Sequence, residues 1–282
     1  QADLLADGTI ISSASQPAAP GAVLSLPIDQ PRLWHPDAPF LYDLKLQLKD
    51  PEGTVIDKVD SYIGMRKIHI EDSQVFLNNQ PLYQRLVLDQ GFYKESVWTA
   101  PSDEALKQDI ELALTAGFNG ARLHQKAFEE RFHYWADRLG YLTWAETPSW
   151  GLDVNRADAA YAFLTEWREL VLRDRNHPSI ITWTPLNETL DFSNPEQHRR
   201  FHIDCYEETR ALDTTRPVND TSGFIHGRTD LWTVHGYTQD PAEFKAQLTP
   251  TAHDPVIRNH PDKETDYTGQ PYLVAEFGGI QW

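Results

Sequence analysis

Two short apolar segments of the chain each end in or near a glutamate, and both glutamates could take part in acid–base chemistry. One segment covers residues 180–188 and ends in Asn187-Glu188, while the other covers residues 272–279 and carries Glu276. A continuous apolar run is typical of a strand buried on both faces, where a charged side chain is costly unless a function requires it. The two carboxylates therefore predict one general acid and one nucleophile.

Composition limits the class of protein. The chain has 282 residues, is 40% hydrophobic and carries a formal net charge of -17. It has enough apolar material for one large domain or two smaller ones, and its negative charge argues against nucleic acid as a partner. No apolar stretch is long enough to predict a membrane span. The sequence does not distinguish a cytoplasmic protein from a secreted one. The single Cys205 excludes an intrachain disulfide and is predicted to be a half-buried structural thiol.

The first part of the chain alternates between apolar and polar residues. Polar residues separate the apolar residues Tyr42, Leu44, Leu46 and Leu48. This alternation indicates a strand with one solvent-exposed face. Further strand-like pieces follow at residues 54–62, 67–70 and 75–77, separated by turn-forming residues. Residues 1–70 are therefore predicted to form part of a β-sandwich.

After Pro81 the pattern changes to strands that alternate with helices. Ser102 is a candidate N-cap for a helix that ends at Gly117. Further helices are predicted at about residues 128–140, 158–175 and 195–212. Seven strands are predicted, at residues 84–88, 118–124, 141–146, 179–188, 216–223, 231–237 and 271–277.

Short βα units with apolar strands predict either a parallel barrel or an open doubly wound sheet. The barrel is favoured because polar and aromatic residues cluster at the C-terminal ends of the strands. The open nucleotide-binding sheet is disfavoured because the sequence contains no glycine-rich phosphate loop. A complete (β/α)8 TIM barrel takes about 250 residues. Residues 71–282 are therefore predicted to form an α/β TIM barrel that lacks its eighth strand and stops early at Trp282.

Several motifs, taken together, resemble the family 2 glycoside hydrolases, which include β-galactosidases, β-glucuronidases and β-mannosidases. Residues 33–42 are similar to the end of that family's immunoglobulin-like domain. Residues 64–68 and 77–81 resemble its linker into the barrel. Residues 117–124, Gly-Phe-Asn-Gly-Ala-Arg-Leu-His, match its second barrel strand, and the Asn-Glu pair matches its acid/base signature.

The resemblance implies a retaining, exo-acting glycoside hydrolase of β-galactosidase type that needs no cofactor. Glu188 would be the acid/base and Glu276 the nucleophile, with the carboxyls about 5 Å apart rather than the 6.5 to 9.5 Å of an inverting pair. The substrate would be an oligosaccharide or another glycoside. The sequence leaves open whether the protein forms a homo-oligomer. Two alternatives also stay open: a β-mannosidase or β-glucuronidase of the same family, and a carbohydrate-binding fragment with impaired catalysis.

Further residues at the strand ends are candidates for binding the substrate. An amide next to the acid could bond the sugar 2-OH, an arginine and a tyrosine could donate to the nucleophile, and a loop tryptophan could stack on a sugar face. Each also has a structural interpretation as a salt bridge, a rim histidine or a packed aromatic. The candidates are Asp89, Arg122, His124, Glu146, Trp150, Asn187, His235 and Tyr237.

No metal site is predicted. His198 and His202 lie four residues apart on a predicted helix, but no glutamate lies between them as in zinc proteases, and a solvated helix face is expected instead. Many β-galactosidases carry Asn-Arg-His-Glu after the first barrel strand, whereas this chain has Leu88-Asp89-Gln90-Gly91. The metal sites and galactose contacts of those enzymes are therefore not carried over.

Overall fold

A computed structural model describes residues 1–279 of the chain. Its N-terminal part is an antiparallel sheet with the strand order β2-β1-β3-β4, which is one layer of the predicted partial sandwich. The strands are β1 (Ala2–Ala6), β2 (Thr9–Ala14), β3 (Tyr42–Lys49) and β4 (Val55–Ile63). The strands predicted at residues 42–48 and 54–62 are thus confirmed as β3 and β4.

The hairpin formed by β1 and β2 was not predicted. Its two-residue loop is Asp7-Gly8, and both residues have positive φ, at 48° and 78°. Asp-Gly between two strand-forming segments is typical of the type I′ turn, whose twist matches that of the strands it joins. The signal was therefore present in the sequence, in the first twenty residues that were left unassigned.

A three-stranded antiparallel sheet covers the N-terminal end of the barrel. Its strands are β5 (Ile68–Glu71), β6 (Gln74–Leu77) and β7 (Gln80–Pro81). The sheet and the beginnings of the barrel strands share one buried apolar cluster, which includes Ile68, Val75, Leu77, Leu142, Ile181 and Leu231. The domain boundary predicted between residues 70 and 71 falls inside β5 and stays a prediction.

Residues 86–277 form a parallel barrel built from βα units. Its elements, in chain order, are β8 (Leu86–Asp89), α1 (Asp103–Thr115), β9 (Gly120–Leu123), α2 (Glu130–Leu139), β10 (Leu142–Glu146), α3 (Ala157–Asp174), β11 (Ile180–Thr184), β12 (Leu186–Asn187), α4 (Pro195–Leu212), β13 (Thr221–Ser222), β14 (Trp232–Gly236), α5 (Pro241–Leu248) and β15 (Tyr272–Phe277). All the strand pairs are parallel, as the barrel prediction requires.

The barrel wall is nearly continuous from β8 to β15. Strands β8 to β11 form one sheet, and Pro185, which has no backbone N–H, separates β11 from β12. A parallel bridge between Trp183 and Val218 joins β11 to the segment before β13, and the N–H of Asp230 donates to the carbonyl of Val218. The seven strands predicted from the sequence therefore occur in the predicted order.

The four predicted helices are confirmed, and a fifth was missed. Ser102 caps α1 by accepting a hydrogen bond from the N–H of Ala105, and Gly140 ends α2 in the left-handed conformation at φ 73°. The missed helix α5 has the same kind of start signal, because Asp240 caps it and Pro241 is its first residue. None of the helices in residues 1–279 is both long and apolar enough to cross a membrane.

A cleft lies between the first and last strands of the barrel. In residues 1–279, β8 pairs only with β9, and β15 pairs only with β14. The cleft between the two free edges has a volume of about 930 Å³ and an apolar lining that includes Leu82, Leu86, Leu273 and Val274. It is the place that an eighth strand of the barrel would occupy. The predicted early stop at Trp282 concerns residues 280–282, which lie outside the described residues.

Asp137 on α2 connects the barrel to the N-terminal sheet. Its buried carboxylate accepts hydrogen bonds from the Tyr62 hydroxyl at 2.8 Å and from the Ser179 N–H at 2.9 Å, and His177 Nδ1 lies 2.6 Å away. The backbone carbonyl of Asp137 also accepts from the indole of Trp34 at 2.7 Å. One side chain therefore fixes the last strand of the sheet, helix α2 and the beginning of β11.

Replacing Asp137 tests this junction. Asp137→Ala removes the acceptor of the buried Ser179 N–H and of the half-buried Tyr62 hydroxyl, so we expect the free energy of unfolding to fall by about 3 kcal/mol. Tyr62→Phe removes one of the bonds and should cost about 1 kcal/mol. Urea denaturation followed by circular dichroism measures both, and Asp43→Asn on the exposed side of β3 is the control. A loss below about 1 kcal/mol in Asp137→Ala would contradict the assigned role.

Candidate active site

The two predicted catalytic glutamates lie together at the C-terminal ends of the barrel strands. Glu188 follows β12, and Glu276 is in the last part of β15. One carboxylate oxygen of Glu188 lies within 4.8 Å of one of Glu276. Their surroundings differ, because the side chain of Glu188 is 15% exposed and that of Glu276 is 6% exposed.

Arg122 on β9 is the central cation of the site and is itself buried. Its Nη2 donates to Glu276 at 2.7 Å and to the side-chain oxygen of Asn187 at 3.0 Å, while its Nη1 donates to the hydroxyl of Ser222. Its Nε lies 3.0 Å from Glu146. The planar guanidinium thus contacts residues that come from four other strands of the barrel, which matches its five fixed donors.

Glu276 is surrounded by polar side chains from several strands. Besides Arg122, the hydroxyl of Tyr237 donates to it. Nε2 of His235 lies 3.5 Å and Nε2 of His124 3.7 Å from its Oε1. Burial and the neighbouring carboxylate raise the pKa of Tyr237, so its hydroxyl stays protonated and available as a donor.

Glu188 is held in an unusual backbone conformation. Its φ is 47°, in the left-handed region that residues other than glycine rarely adopt. Its N–H donates to the carbonyl of Ser222 at 3.2 Å, and its Oε1 lies 2.8 Å from Nδ1 of His235. The turn of the backbone at the strand end directs the carboxyl away from the path of β12, where it is less buried than its neighbour Asn187.

A hydrogen-bonded chain joins Arg122 to Glu188. Arg122 donates to Ser222, and the Ser222 hydroxyl lies 3.0 Å from Nε2 of His235. The Glu188 carboxylate oxygen lies 2.8 Å from Nδ1 of His235, and in the tautomer that donates from Nδ1 to this oxygen, the Ser222 hydroxyl donates to Nε2. Glu188 and the cation beside Glu276 are thus connected through the side chains of Ser222 and His235.

Glu146 on β10 is a third carboxyl in the site and is fully buried. It accepts a hydrogen bond from the N–H of Gln125 at 3.0 Å and is paired with Arg122. Burial raises its pKa from 4.5 to about 7, although Arg122 and the Gln125 N–H oppose the shift. Its contact with Arg122 supports a bracing role more directly than a contact with substrate.

Asn187 and His124 occupy polar positions next to the carboxylates. The Asn187 N–H donates to Ser149, its side-chain oxygen accepts from Arg122, and its Nδ2 is buried without a hydrogen-bond partner. An unpaired buried donor is costly, and a substrate hydroxyl could satisfy it. Burial and the nearby Arg122 lower the pKa of His124 to about 4, so it is neutral at pH 7.

The remaining predicted residues lie at the rim or behind it. Trp150 is 63% exposed and touches the edge of the His124 ring, and Tyr237 is 48% exposed. Asp89 is the last residue of β8; its side chain accepts from the Gly91 N–H, and its carbonyl accepts from the His124 N–H. The structure therefore brings seven of the eight other predicted residues around the two glutamates, while Asp89 acts through backbone contacts.

Several polar residues that shape the site were missed. Ser222 bonds Arg122 and His235, the side chain of Gln125 accepts from the N–H groups of Ser149 and Trp150, and Asn259 accepts from the N–H of His235. Ser222 could have been found, because it ends a barrel strand just as Glu146 and Asn187 do. Asn259 lies in the long segment between α5 and β15, where no periodic pattern indicates which side chains return to the barrel.

The interpretation of His198 and His202 as a solvated helix face was wrong. Both are buried, and their rings stack at a centroid distance of 4.2 Å. They bond the carbonyl and the hydroxyl of Thr189, the residue after Glu188. The face of α4 that carries them packs against the barrel, and hydrogen bonds with a loop allow histidines to occupy such a face. Cys205 on the same helix is fully buried rather than half-buried.

Three potential metal ligands are close together within residues 1–279: Glu188, His235 and Glu276, whose donor atoms lie within 4.8 Å of one another. The guanidinium of Arg122 is 2.7 Å from the same Glu276, and its positive charge disfavours a second cation there. The arrangement therefore gives no support for a metal, and the prediction of a metal-free site stays a prediction.

The chain matches a known family along most of its length. Residues 68–279 match the family described as "Glycosyl hydrolases family 2, TIM barrel domain", and residues 4–66 match "Glycosyl hydrolases family 2". The chain therefore belongs to glycosyl hydrolase family 2. The predicted family and fold class are confirmed.

Curated relatives and solved structures agree with this membership. A beta-galactosidase of Lactococcus lactis subsp. lactis is 34% identical over 200 residues, which cover 68% of this chain and 19% of that protein. A beta-galactosidase of Photobacterium profundum is 29% identical over 206 residues, which cover 71% of this chain and 19% of that protein. The match thus spans 19% of the length of each of these relatives.

The solved structures that resemble the chain share its fold at low sequence identity. The beta-D-glucuronidase of Dictyoglomus thermophilum has a TM-score of 0.80 at 22% identity, over 98% of this chain and 49% of that one. A β-glucuronidase of Ruminococcus gnavus has a TM-score of 0.73 at 22% identity, over 84% of this chain and 40% of that one. At such identities the likeness concerns the fold alone.

The raised pKa of Glu146 predicts how stability depends on pH. Between pH 4.5 and about 7 the unfolded chain has lost this proton while the native protein retains it, so stability falls as pH rises. The contribution of this residue is about 3 kcal/mol, from 1.36 kcal/mol per pKa unit. Glu146→Gln resembles the protonated acid and should remove this part of the decrease, measured by urea denaturation at pH 5 and pH 8.

The matched control for this prediction is Glu52→Gln, which changes an exposed glutamate of the N-terminal part. It should leave the pH dependence as in the wild type. If the free energy of unfolding changed equally between pH 5 and pH 8 in Glu146→Gln and Glu52→Gln, the burial of Glu146 would not be a source of the pH dependence.

Proposed function

We propose that this protein is a retaining glycoside hydrolase of β-galactosidase type that removes terminal β-linked sugars. The observation that carries the proposal is the closeness of the two carboxylates, since one oxygen of Glu188 lies within 4.8 Å of one oxygen of Glu276. A retaining pair needs about 5 Å, whereas an inverting pair needs at least about 6.5 Å to leave room for a water molecule.

Glu276 is suited to the role of nucleophile. It is the more buried of the two, and Arg122 and Tyr237 both donate to it. These donors stabilise the carboxylate before the reaction, when it must be ionised to attack. In the first step a bond forms between this carboxylate and the anomeric carbon, and the bond from that carbon to the leaving oxygen breaks.

Glu188 is suited to the role of acid/base. Its Oε1 accepts from His235, which leaves the other carboxyl oxygen free to carry the proton that moves to the leaving oxygen. In the second step the ionised Glu188 takes a proton from water as the water oxygen bonds to the anomeric carbon. The bond to Glu276 breaks in the same displacement, both carboxyls return to their first states, and the anomeric configuration is retained.

The polar groups around the carboxylates would recognise the sugar. Asn187 has an unpaired buried amide donor beside Glu188, and Trp150 presents an exposed ring at the rim. Galactoside is the first choice because the curated relatives reported above are beta-galactosidases. Mannoside and glucuronide remain the alternatives within the family, and the proposed chemistry requires no cofactor.

Carboxamide variants in the protein expressed from its complete gene test the proposal. Glu188→Gln and Glu276→Gln should each lower turnover of a nitrophenyl β-galactoside by about a thousandfold, because each removes a group that is bonded to or protonates the reacting atoms. The thermal unfolding temperature should change little, and Glu52→Gln should keep the wild-type rate. A panel of galactoside, glucoside, mannoside and glucuronide identifies the sugar.

The stereochemistry of the first-formed product provides an independent test. NMR of the released sugar should show the β anomer first, and a 2-deoxy-2-fluoro glycoside should label the peptide that contains Glu276. A first-formed α anomer would reject the double displacement. Binding of sugars without hydrolysis of any of the four glycosides would support a carbohydrate-binding protein with impaired catalysis instead.

A further inference from the structure

Two buried histidines of α4 hold the residue that follows Glu188. The hydroxyl of Thr189 lies 2.7 Å from Nε2 of His202, and the carbonyl of Thr189 lies 2.9 Å from Nε2 of His198. All three residues are buried. Neither histidine touches the reacting carboxylates, so the bonds must have another role.

The hydrogen-bond directions are fixed by the neighbouring acceptors. Nδ1 of His202 lies 2.8 Å from the carbonyl of His198, which can only accept, so His202 carries its hydrogen on Nδ1. Its Nε2 is then an acceptor, and the Thr189 hydroxyl donates to it. His198 carries its hydrogen on Nε2 and donates to the Thr189 carbonyl. Burial lowers the pKa of both histidines, that of His202 to about 4, which agrees with these neutral forms.

The histidine pair cannot move away from the loop without disturbing the next strand connection. Gly227, in the segment between β13 and β14, packs so closely against α4 that a Cβ there would lie 2.6 Å from the Cβ of His202. The two histidine rings also stack on each other. Thr189 is therefore bonded to a part of the structure that is rigid from both sides.

The backbone of Glu188 needs such support. A residue other than glycine at positive φ costs about 1 kcal/mol or more, and persists only where its surroundings hold it. On its N-terminal side Glu188 is held by the carbonyl of Ser222, and on its C-terminal side Thr189 is held by the histidines. These bonds set the direction in which the carboxyl leaves the strand end.

We propose that Thr189 and His202 are a positioning pair that aims the carboxyl of Glu188 at the leaving oxygen of the glycoside. This inference rests on the proposed function, because it assigns Glu188 the role of acid. A misplaced acid slows only the reactions that need its proton. The pair should therefore matter for poor leaving groups and not for leaving groups that depart without protonation.

The experiment compares two aryl glycosides of the sugar that the wild-type protein hydrolyses. A phenyl glycoside requires protonation of its leaving oxygen, and a dinitrophenyl glycoside does not. Thr189→Val keeps the shape of the side chain but removes its hydroxyl. We expect the first-step rate with the phenyl glycoside to fall by about tenfold or more, and the rate with the dinitrophenyl glycoside to change by less than about twofold.

Thr189→Ser is the matched control, because it restores the hydroxyl and should recover most of the phenyl glycoside rate. His202→Phe keeps a stacking ring without the acceptor and should reproduce the selective loss. The double variant with Thr189→Val should lose no more than either single variant, since both remove the same bond. If Thr189→Val folds poorly, the comparison of the two aryl glycosides in His202→Phe is the second measurement.

Two results would overturn the positioning role. Equal losses with both aryl glycosides would mean that Thr189 only stabilises the fold, and no loss in Thr189→Val would mean that the bond is dispensable. The failure of the proposed function differs from both results. It would appear as a wild-type protein without activity on any glycoside, or as a wild-type rate from Glu188→Gln.

Discussion

The candidate site depends on one buried cation, the guanidinium of Arg122. It contacts Glu146, Asn187, Ser222 and Glu276, which come from four other strands of the barrel. Without a positive charge between them, the buried carboxylates of Glu146 and Glu276 would repel each other and would be costly to desolvate. Arg122 stabilises both, because its planar donors face the two carboxylates while its remaining bonds go to neutral acceptors. The polar interior at this end of the barrel is thus organised around one side chain.

The backbone contributes a second constraint at the ends of the strands. Gln125, Glu188 and Phe224 all have positive φ, between 47° and 62°, and each follows a barrel strand closely. At two of these residues the backbone N–H makes a hydrogen bond within the site. The N–H of Gln125 donates to Glu146, and the N–H of Glu188 donates to the carbonyl of Ser222. The bends turn polar groups towards the site instead of continuing along the strand. Strain of this kind is typical of functional sites, where the surrounding structure maintains it.

The sequence was sufficient for features that come from local pattern or from single strands. Apolar runs ending in Glu188 and Glu276, the Ser102 cap and the alternation of strands with helices all predicted what the structure contains. What the sequence could not supply was the partner of each polar side chain. His198 and His202 were assigned to solvent because helical spacing alone does not tell which face of α4 meets the barrel, and that depends on the approach of Gly227. Asn259 was missed for the same reason, since its contact with His235 requires a loop to fold back across the strand ends.

The two glutamates differ in ways that follow from their positions on the barrel. Glu276 lies within β15, directly after an irregularity in its pairing with β14 at Ala275, and Arg122 and Tyr237 reach it there. Glu188 lies just beyond a strand end, in the bent conformation, and so extends to a less buried place with His235 as its partner. Glu276 therefore has several donors around it, whereas Glu188 has one side-chain partner and more access to solvent. The hydrogen-bonded path from Arg122 through Ser222 and His235 joins the two environments. Two residues of the same type are therefore placed in different surroundings because of where they lie on their strands, and not because of any difference in the residues themselves.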